Sequence, residues 1–238
     1  MTEPISFDSP AGTRVLIAGA TGLVGQQCLR LLLQDDSVGQ VRALVRRPMS
    51  PAELAGPEIA AEQLARLQVC VTDFDRLDDH LEWFDVDWVF CTLGTTIRQA
   101  GSQAAFQRVD LDYPLQIARL ARTERARHFL LVSALGANAR SSVFYNRIKG
   151  ELENAVRDLN FESLTVARPS LLAGDRTEFR LGEALGLKLA WLMPGPWKPV
   201  HVSQVARGLW ASAHQPPKGL RILHNTDLRS QPVAGTFS

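Results

Sequence analysis

The sequence has little that would indicate a secreted, metal-binding or nucleic-acid-binding protein. Its three cysteines, Cys28, Cys70 and Cys91, lie far apart in segments with helix or strand patterns. An odd, scattered set indicates buried apolar thiols in a reducing compartment rather than a disulfide framework or a metal site. The net charge is only +1. The charge therefore gives no reason to expect nucleic acid or an anionic membrane as the main partner.

Long apolar runs are also missing, since none approaches the roughly 20 residues of a membrane-spanning helix. The first residues, starting Met1-Thr2-Glu3-Pro4, do not show the charged and then apolar pattern of a secretory leader. We therefore expect a cytoplasmic protein. Hydrophobic residues make up 45% of the chain and charged residues 21%, which is ordinary for a soluble globular protein that can bury a sizeable core.

The strongest local pattern lies near the start of the chain. Val15 to Ala18 is a short apolar run typical of a buried strand, and from Leu23 onward apolar residues recur at helical spacing. Between them is a GxxGxxG turn. A strand, a glycine turn and a helix bring backbone N–H groups and the positive end of a helix dipole to one point, which suits a phosphate. A merely connecting turn is the alternative. The cofactor contacts predicted from this turn are Gly19, Thr21, Gly22, Leu23, Val24 and Gly25.

The rest of the chain alternates strand and helix patterns with short links. The further predicted strands are residues 41–45, 67–71, 86–91, 129–132, 164–167, 200–202 and 220–224. The main predicted helices are residues 78–84, 102–123 with a kink or break at Pro114, 141–160, 181–193 and 205–214. This alternation predicts an α/β fold with a doubly wound parallel sheet of the Rossmann type. A ligand is expected at the carboxyl ends of the strands, where the strand order reverses.

The domain organisation follows from the same patterns. We expect a loose arm over residues 1–12, a single nucleotide-binding domain over residues 13–224 and a possibly frayed tail over residues 225–238. Residues 170–210 break the regular alternation, so they are expected to form a small extension on the substrate side of the cleft.

Arginines dominate the end of the second predicted strand. Arg42, Arg46 and Arg47 occur within it or just after it, and no acid lies between Val41 and Arg47. An acid at this point would accept hydrogen bonds from the ribose hydroxyls of NAD, whereas arginine suits the extra phosphate of NADP. We therefore predict NADP(H) over NAD(H), held by Arg46 and Arg47. Solvated loop charges are the alternative.

Further cofactor contacts are predicted at the ends of the later strands. Asp73 can accept a hydrogen bond from the adenine amino group, or it can be a helix N-cap or turn acid. Gly94 leaves room for the ribose and the pyrophosphate, and the threonines beside it offer hydroxyls. The full set predicted at these strand ends is Asp73, Phe74, Leu93, Gly94, Thr95, Pro169 and Ser170.

Tyr145 and Lys149 are four residues apart and therefore share one face of a predicted helix. Ser133 ends the strand before that helix. A neighbouring ammonium lowers the pKa of a phenol, and a serine hydroxyl can hold a carbonyl oxygen beside it. This arrangement fits hydride transfer between a nicotinamide and a carbonyl or alcohol carbon, with Tyr145 exchanging the proton. Lys149 and Tyr145 are also predicted cofactor contacts. The alternative is a solvated helix face with a half-buried tyrosine.

Two other polar residues are weaker candidates. Asp110, near the sheet edge, is a candidate for ordering active-site waters or the lysine. His201 is either a polar group on the substrate side or a structural strand histidine.

These motifs resemble the short-chain dehydrogenase/reductase superfamily, in particular its atypical members. The residues that carry the resemblance are Gly19-x-x-Gly22-x-x-Gly25, Arg46-Arg47, Ser133, Tyr145-x-x-x-Lys149 and Arg168-Pro169-Ser170. More closely, the chain is similar to the Tat-interacting-protein-type oxidoreductases. The stretches concerned are residues 91–96, 108–113, 128–133 and 149–151.

The resemblance covers about residues 13–210. It implies a Rossmann-type fold, NADP(H) binding, and Ser133, Tyr145 and Lys149 as the catalytic set. Asp110 stands where many superfamily members place an asparagine, which puts a full proton relay in doubt.

We therefore expect an NADP(H)-dependent oxidoreductase acting on a small carbonyl or alcohol. A catalytically weak NADP(H)-binding sensor is the alternative, and an epimerase or isomerase with tightly bound cofactor is a weaker one. The substrate cannot be deduced from the sequence, and a homodimer is left open.

Overall fold

The computed structural model describes residues 12–173 and 195–233, and these form a parallel β-sheet flanked by helices. The strands are β1 (Thr13–Ala18), β2 (Val38–Val45), β3 (Leu67–Val71), β4 (Trp88–Cys91), β5 (His128–Val132), β6 (Ser163–Arg168), β7 (Leu172–Ala173), β8 (Val200–His201) and β9 (Gly219–His224). The helices are α1 (Leu23–Gln34), α2 (Pro51–Ala55), α3 (Ala61–Leu64), α4 (Ile97–Ala100), α5 (Gln103–Gln107), α6 (Tyr113–Thr123), α7 (Phe144–Arg157), α8 (Val202–His214) and α9 (Asn225–Arg229).

Seven of the strands form one sheet in the order β3-β2-β1-β4-β5-β6-β9, and all neighbours run parallel. The order runs outward in one direction from β1 to β3 and in the other from β4 to β9, so it reverses between β1 and β4. The predicted doubly wound parallel sheet is therefore confirmed. The carboxyl ends of β1 and β4 lie side by side at the reversal, where a crevice for a ligand is expected.

Two apolar cores cover the two faces of the sheet. One includes the buried side of α1, with Leu29 and Leu32, packed with Leu209 of α8. The other includes Ile117 of α6 and Leu152 of α7. Because both faces are covered, the central strands are apolar on both sides, and β1 has four fully buried residues in succession over residues 15–18. This burial is what fixes the strand ends that form the site.

The predicted helix over residues 102–123 is continuous but not regular. It consists of α5, a π-turn over Arg108–Asp112 and α6. Pro114 lies in the first turn of α6, directly after the π-turn. Proline has no N–H to continue the helical hydrogen bonds, so the pattern changes just before it instead of breaking. The extra residue of the π-turn changes the direction in which the buried Asp110 side chain faces.

The C-terminal prediction was wrong in part. Residues 225–229 form helix α9 rather than a frayed tail, because Asn225 is fully buried and holds neighbouring backbone. Its side chain accepts a hydrogen bond from Ser170 N and donates to the carbonyls of Pro196 and Lys198. The rest of the predicted arm, residues 1–11, and the helix predicted over 181–193 lie outside the described residues, as do residues 234–238.

Candidate functional site

A cleft of about 570 Å³ lies at the point where the strand order reverses. The backbone loops after β1 and β4 form its floor, and the end of β2 and the helical segment before α6 form its walls. The predicted site residues that line it are Gly19, Thr21, Gly22, Arg46, Phe74, Leu93, Gly94 and Thr95. Thr92, one of the threonines expected to offer a hydroxyl there, also lines it. Sequence reasoning missed the other lining residues, which are Leu44, Val45, Gln99, Ala100, Ala105, Val109 and Tyr113.

The glycine turn is tightly folded and packs closely on helix α1. Gly19 has a φ of +89°, which favours glycine, and Gly22 N donates to Gly19 O at 2.9 Å. A Cβ at Gly25 would lie only 2.0 Å from Gly19 O, so α1 can pack on the turn only with glycine there. Gly22 is also the N-cap of α1 and has no side chain to occupy the first N–H groups of the helix. The N–H groups that begin with Leu23 and Val24 therefore suit a phosphate.

The arginines at the end of β2 divide into two groups. Arg46 and Arg47 are exposed, and Arg46 lines the cleft. Arg42 is buried, and its Nη1 donates to the carbonyls of Glu82 and Asp85 at 2.8 and 3.1 Å. Arg42, which was not among the predicted cofactor contacts, therefore holds backbone carbonyls of the segment before β4. The two exposed arginines remain the candidates for the NADP phosphate.

The end of β3 forms one side wall of the cleft. Asp73 is the N-cap of the 3₁₀ segment Phe74–Phe84, and its carboxylate accepts from Asp75 N at 3.1 Å. The structure thus shows Asp73 in its alternative role as an N-cap, while its contact with adenine remains a prediction. Phe74 is buried and meets the Tyr113 ring edge-on at 5.5 Å. Tyr113 has the helical spacing of a core residue, and for that reason the pattern did not identify it as a cleft residue.

Tyr145 and Lys149 lie one turn apart on α7, as predicted. The Lys149 ammonium is buried at 2.6 Å from Asp110 Oδ1, and Asp110 Oδ2 accepts from Thr95 N at 2.8 Å. A Cβ built on Gly94 would lie 3.8 Å from Lys149 Nζ, so the lysine borders the cleft loop. The structure therefore joins the tyrosine–lysine pair to the loop after β4 through Asp110.

The charges of this group act on one another. Burial disfavours the charged form of Lys149, but Asp110, with a smaller contribution from Tyr145, outweighs it and raises the pKa of the lysine. Burial raises the pKa of Tyr145; Lys149 opposes that shift, and Asp110 reinforces it. The lysine is therefore a stable cation, while its effect on the phenol is partly cancelled.

Ser133 has a contact that the sequence did not predict. It is buried at the end of β5, and its hydroxyl donates to Glu153 Oε1 at 2.5 Å. Arg168, at the end of β6, donates to the same carboxylate from Nε and Nη2. Since a serine hydroxyl has one hydrogen, Ser133 cannot also donate to a substrate carbonyl in this arrangement. The catalytic role of Ser133 stays a prediction.

The remaining candidates make structural contacts. Pro169 O accepts from Leu135 N at 2.7 Å, and Ser170 Oγ donates to Lys198 O at 2.6 Å. His201 is the N-cap of α8, where its Nδ1 accepts from Ser203 N at 3.3 Å. These contacts support the structural alternative for His201. The predicted cofactor contacts at Pro169 and Ser170 stay predictions.

Gly150 is a further residue that the sequence reasoning missed. A Cβ there would lie 2.1 Å from Ala139 N, so the loop after β5 packs directly on the backbone of α7. In the sequence, its position immediately after Lys149 is the feature that could have identified it. The close contact fixes α7, and with it Tyr145 and Lys149, against the strand ends.

Comparison with known proteins identifies the family. A family profile described as NAD(P)H-binding matches residues 19–188, which is most of the chain. The chain belongs to this NAD(P)H-binding family. The protein HTATIP2 of Rattus norvegicus is 37% identical over 216 residues, covering 89% of this chain and 86% of that protein. Protein FMP52, mitochondrial, of Coccidioides immitis is 30% identical over 236 residues, covering 89% and 93%.

Solved structures share the fold of this NAD(P)H-binding chain. MoeE5 in complex with UDP-glucose and NAD has a TM-score of 0.67 at 15% identity and is matched over 88% of this chain and 75% of its own. A UDP-N-acetylglucosamine 4-epimerase from Methanobrevibacter ruminantium M1 has a TM-score of 0.66 at 14% identity, with 90% and 76% coverage. The predicted resemblance to the Tat-interacting-protein-type family is confirmed by the family profile and by HTATIP2, while the solved structures confirm the fold.

Two other features, a membrane-spanning helix and a metal site, are absent from the described residues. Within residues 12–173 and 195–233, no helix has both the length and the apolar character needed to cross a membrane. Over the same ranges, no group of three or more His, Cys, Asp or Glu side chains is arranged to hold a metal ion.

Proposed function

We propose that this protein is an NADP(H)-dependent oxidoreductase that acts on a small carbonyl or alcohol. The observation that carries the proposal is the position of Tyr145 and Lys149, one turn apart on α7, with the lysine ammonium beside Gly94 in a loop that lines the cleft. A proton-exchanging phenol beside a dinucleotide site is the arrangement that carbonyl reduction and alcohol oxidation need.

The chain's own groups fit a nicotinamide dinucleotide. The open N-terminus of α1 and the backbone of the Gly19–Gly22 turn suit the pyrophosphate, and Phe74 and Tyr113 suit an adenine ring. Lys149 suits the nicotinamide ribose. When bound, the nicotinamide supplies or accepts the hydride. NADP(H) is favoured over NAD(H) because Arg46 lines the cleft and can grip a phosphate with its guanidinium.

In the reducing direction, Tyr145 gives its phenolic proton to the substrate oxygen and is reprotonated from solvent. Lys149 stays charged throughout and stabilises the phenolate that forms for that interval. Ser133 is retained as a predicted substrate contact, which requires that its hydroxyl leave Glu153. Cytoplasmic action is part of the proposal, and the mitochondrial names of the fungal relatives make an organelle the alternative.

The test is consumption of NADPH with a panel of small aldehydes and ketones, for wild type and for Tyr145→Phe. We expect the variant to bind NADPH as the wild type does but to reduce its best substrate about 10²–10⁴ times more slowly. Unchanged binding is the control for folding. A wild type that binds neither NADPH nor NADH would refute the proposal.

The contact between Ser133 and Glu153 favours one alternative, a sensor that binds NADP(H) with little turnover. A buried carboxylate that holds the serine hydrogen leaves the substrate without its expected donor. The same experiment separates the two functions. In a sensor, the wild type and Tyr145→Phe would bind NADPH equally well, and neither would consume it.

A further inference from the structure

Asp110 forms a closed ion pair with the lysine of the proposed active site. The Asp110 side chain has no exposed surface and that of Lys149 is 4% exposed. The distance of 2.6 Å between Asp110 Oδ1 and Lys149 Nζ leaves no room for a water between them. The second carboxylate oxygen is held by Thr95 N. The carboxylate is thus fixed between the loop after β4 and helix α7.

The local helix geometry explains why an acid reaches this point. Asp110 lies in the middle of the π-turn Arg108–Asp112, whose wider turn shifts side chains around the helix axis relative to an α-helix. Asp112, two residues later in the same turn, is exposed. One acid of the turn is therefore buried against Lys149, while the other faces solvent.

An ion pair acts on a neighbouring phenol differently from a lone ammonium. A single positive charge favours the phenolate, whereas an adjacent negative charge favours the phenol, so the two effects oppose each other. In this structure, burial raises the pKa of Tyr145, Lys149 lowers it and Asp110 raises it. The lysine is therefore not the unopposed activator that the spacing of Tyr145 and Lys149 predicts.

The other titratable groups around the pair are few among the described residues. Tyr145 and Lys149 lie on α7 and Asp110 on the π-turn, and Cys91 contributes from the end of β4. Burial raises the pKa of Cys91 to about 12, so this thiol is neutral near pH 7. Of the loop after β4, Thr95 contributes its backbone N–H and Gly94 has no side chain. The pKa of Tyr145 therefore depends on burial and then on the charges of Lys149 and Asp110.

We propose that Asp110 is a positioning residue whose carboxylate pairs with the Lys149 ammonium and offsets the positive charge that would favour the Tyr145 phenolate, so that the site is set to donate a proton to a carbonyl. The inference rests on the proposed function and adds that the site favours reduction of a carbonyl over oxidation of an alcohol. Taking a proton from an alcohol first requires the phenolate, which this arrangement makes scarce near neutral pH.

The composition of the chain allows a direct test without cofactor. The sequence has only two tyrosines, Tyr113 and Tyr145, so Tyr113→Phe leaves one phenol to titrate by the ultraviolet absorbance of tyrosinate. In that background, we expect Asp110→Asn to lower the titration midpoint of Tyr145 by about one pH unit or more, a tenfold or greater rise in its acid dissociation constant. Asp112→Asn, the exposed acid of the same turn, should leave the midpoint unchanged.

Two results would overturn the inference. One is an Asp110→Asn midpoint equal to or above that of its parent. The other needs no Asp110 variant: a parent midpoint well below the ordinary value of about 10 would show that Asp110 does not offset Lys149. If Asp110→Asn does not fold, a parent midpoint well below about 10 still refutes the inference.

A measurement of turnover distinguishes this inference from the proposed function. If alcohol oxidation is measurable, its pH profile should move to lower pH in Asp110→Asn by the same amount as the titration midpoint. Failure of the wild type to bind NADPH would refute the function but leave the titration unaffected. Equal midpoints in a protein that reduces carbonyls would refute only the role of Asp110.

Discussion

The Ser133 hydroxyl lies 2.5 Å from Glu153 Oε1, and Arg168 Nε donates to the same oxygen at 3.0 Å. This chain of contacts ties the ends of β5 and β6 to the middle of α7. Any substrate oxygen that uses Ser133 must compete with a carboxylate for its hydrogen. The network of Ser133, Glu153 and Arg168 therefore has a structural role that can be tested separately from any role in catalysis.

The first prediction concerns that structural role. Glu153→Gln should lower the free energy of unfolding by about 1–3 kcal/mol, because it leaves the partly buried Arg168 guanidinium without its counter-charge. Denaturant unfolding measures the loss.

Glu151 provides the matched control for this variant. It lies on the same helix and meets Arg147 at 3.8 Å in an exposed pair. Glu151→Gln should change the free energy of unfolding by less than about 0.5 kcal/mol. Equal losses in the two variants would show that the network contributes no more than a surface pair.

The second prediction separates a glycine that the fold needs from one that the ligand needs. Gly25→Ala should destabilise the protein by about 1–3 kcal/mol, because its Cβ would lie 2.0 Å from Gly19 O. Gly94→Ala meets nothing closer than Asp110 Oδ1 at 3.5 Å, so its thermal stability should not fall. Its NADPH affinity should nevertheless drop about tenfold or more, a loss of at least about 1.4 kcal/mol. If Gly94→Ala folds and binds NADPH as tightly as the wild type does, the loop after β4 is not part of the cofactor site.

The third prediction concerns the choice between cofactors. Arg46→Ala should weaken NADPH binding about tenfold to a hundredfold, since a hydrogen bond to a charged group contributes about 1.5–3 kcal/mol. NADH, which lacks the extra phosphate, should bind almost as before. Arg119→Ala, an exposed arginine on α6, is the control. Equal losses for both nucleotides would contradict the phosphate role of Arg46.

The fourth prediction concerns acid stability. Burial, with a smaller contribution from Arg221, lowers the pKa of His128 to about 4, and its ring nitrogen lies 2.9 Å from Thr165 Oγ1. The unfolded chain therefore binds a proton between about pH 6.5 and 4 that the folded chain does not, so stability falls as the pH drops through this window. The loss should reach about 2–3 kcal/mol by pH 4.

The control for this prediction is His128→Gln, which removes only the histidine's share of the pH dependence. Unfolding measured at several pH values should therefore show a shallower decline in the variant than in the wild type. Parallel declines would assign the acid sensitivity entirely to other groups.

The parts of this fold that could be predicted are those determined by neighbouring residues. The Gly19–Gly25 turn joins an apolar run to a helical pattern, and Tyr145 and Lys149 share a helix face because they are four residues apart. The doubly wound parallel sheet then follows from strand–helix alternation.

The remaining features depend on contacts between residues far apart in the sequence. Asp110 meets Lys149, and Ser133 meets Glu153, only after the sheet has formed. Helix α9 was missed because its short, polar sequence gives no helical periodicity, whereas Asn225 fixes it by hydrogen bonds to two distant loops.

The most direct test of the central claim is a crystal structure of the wild-type protein with NADPH. The account predicts the pyrophosphate at Gly22 and the start of α1, the extra phosphate beside Arg46, and the nicotinamide ring next to Tyr145. A dinucleotide bound away from the Gly19–Gly25 turn, or with its nicotinamide remote from Tyr145, would contradict it.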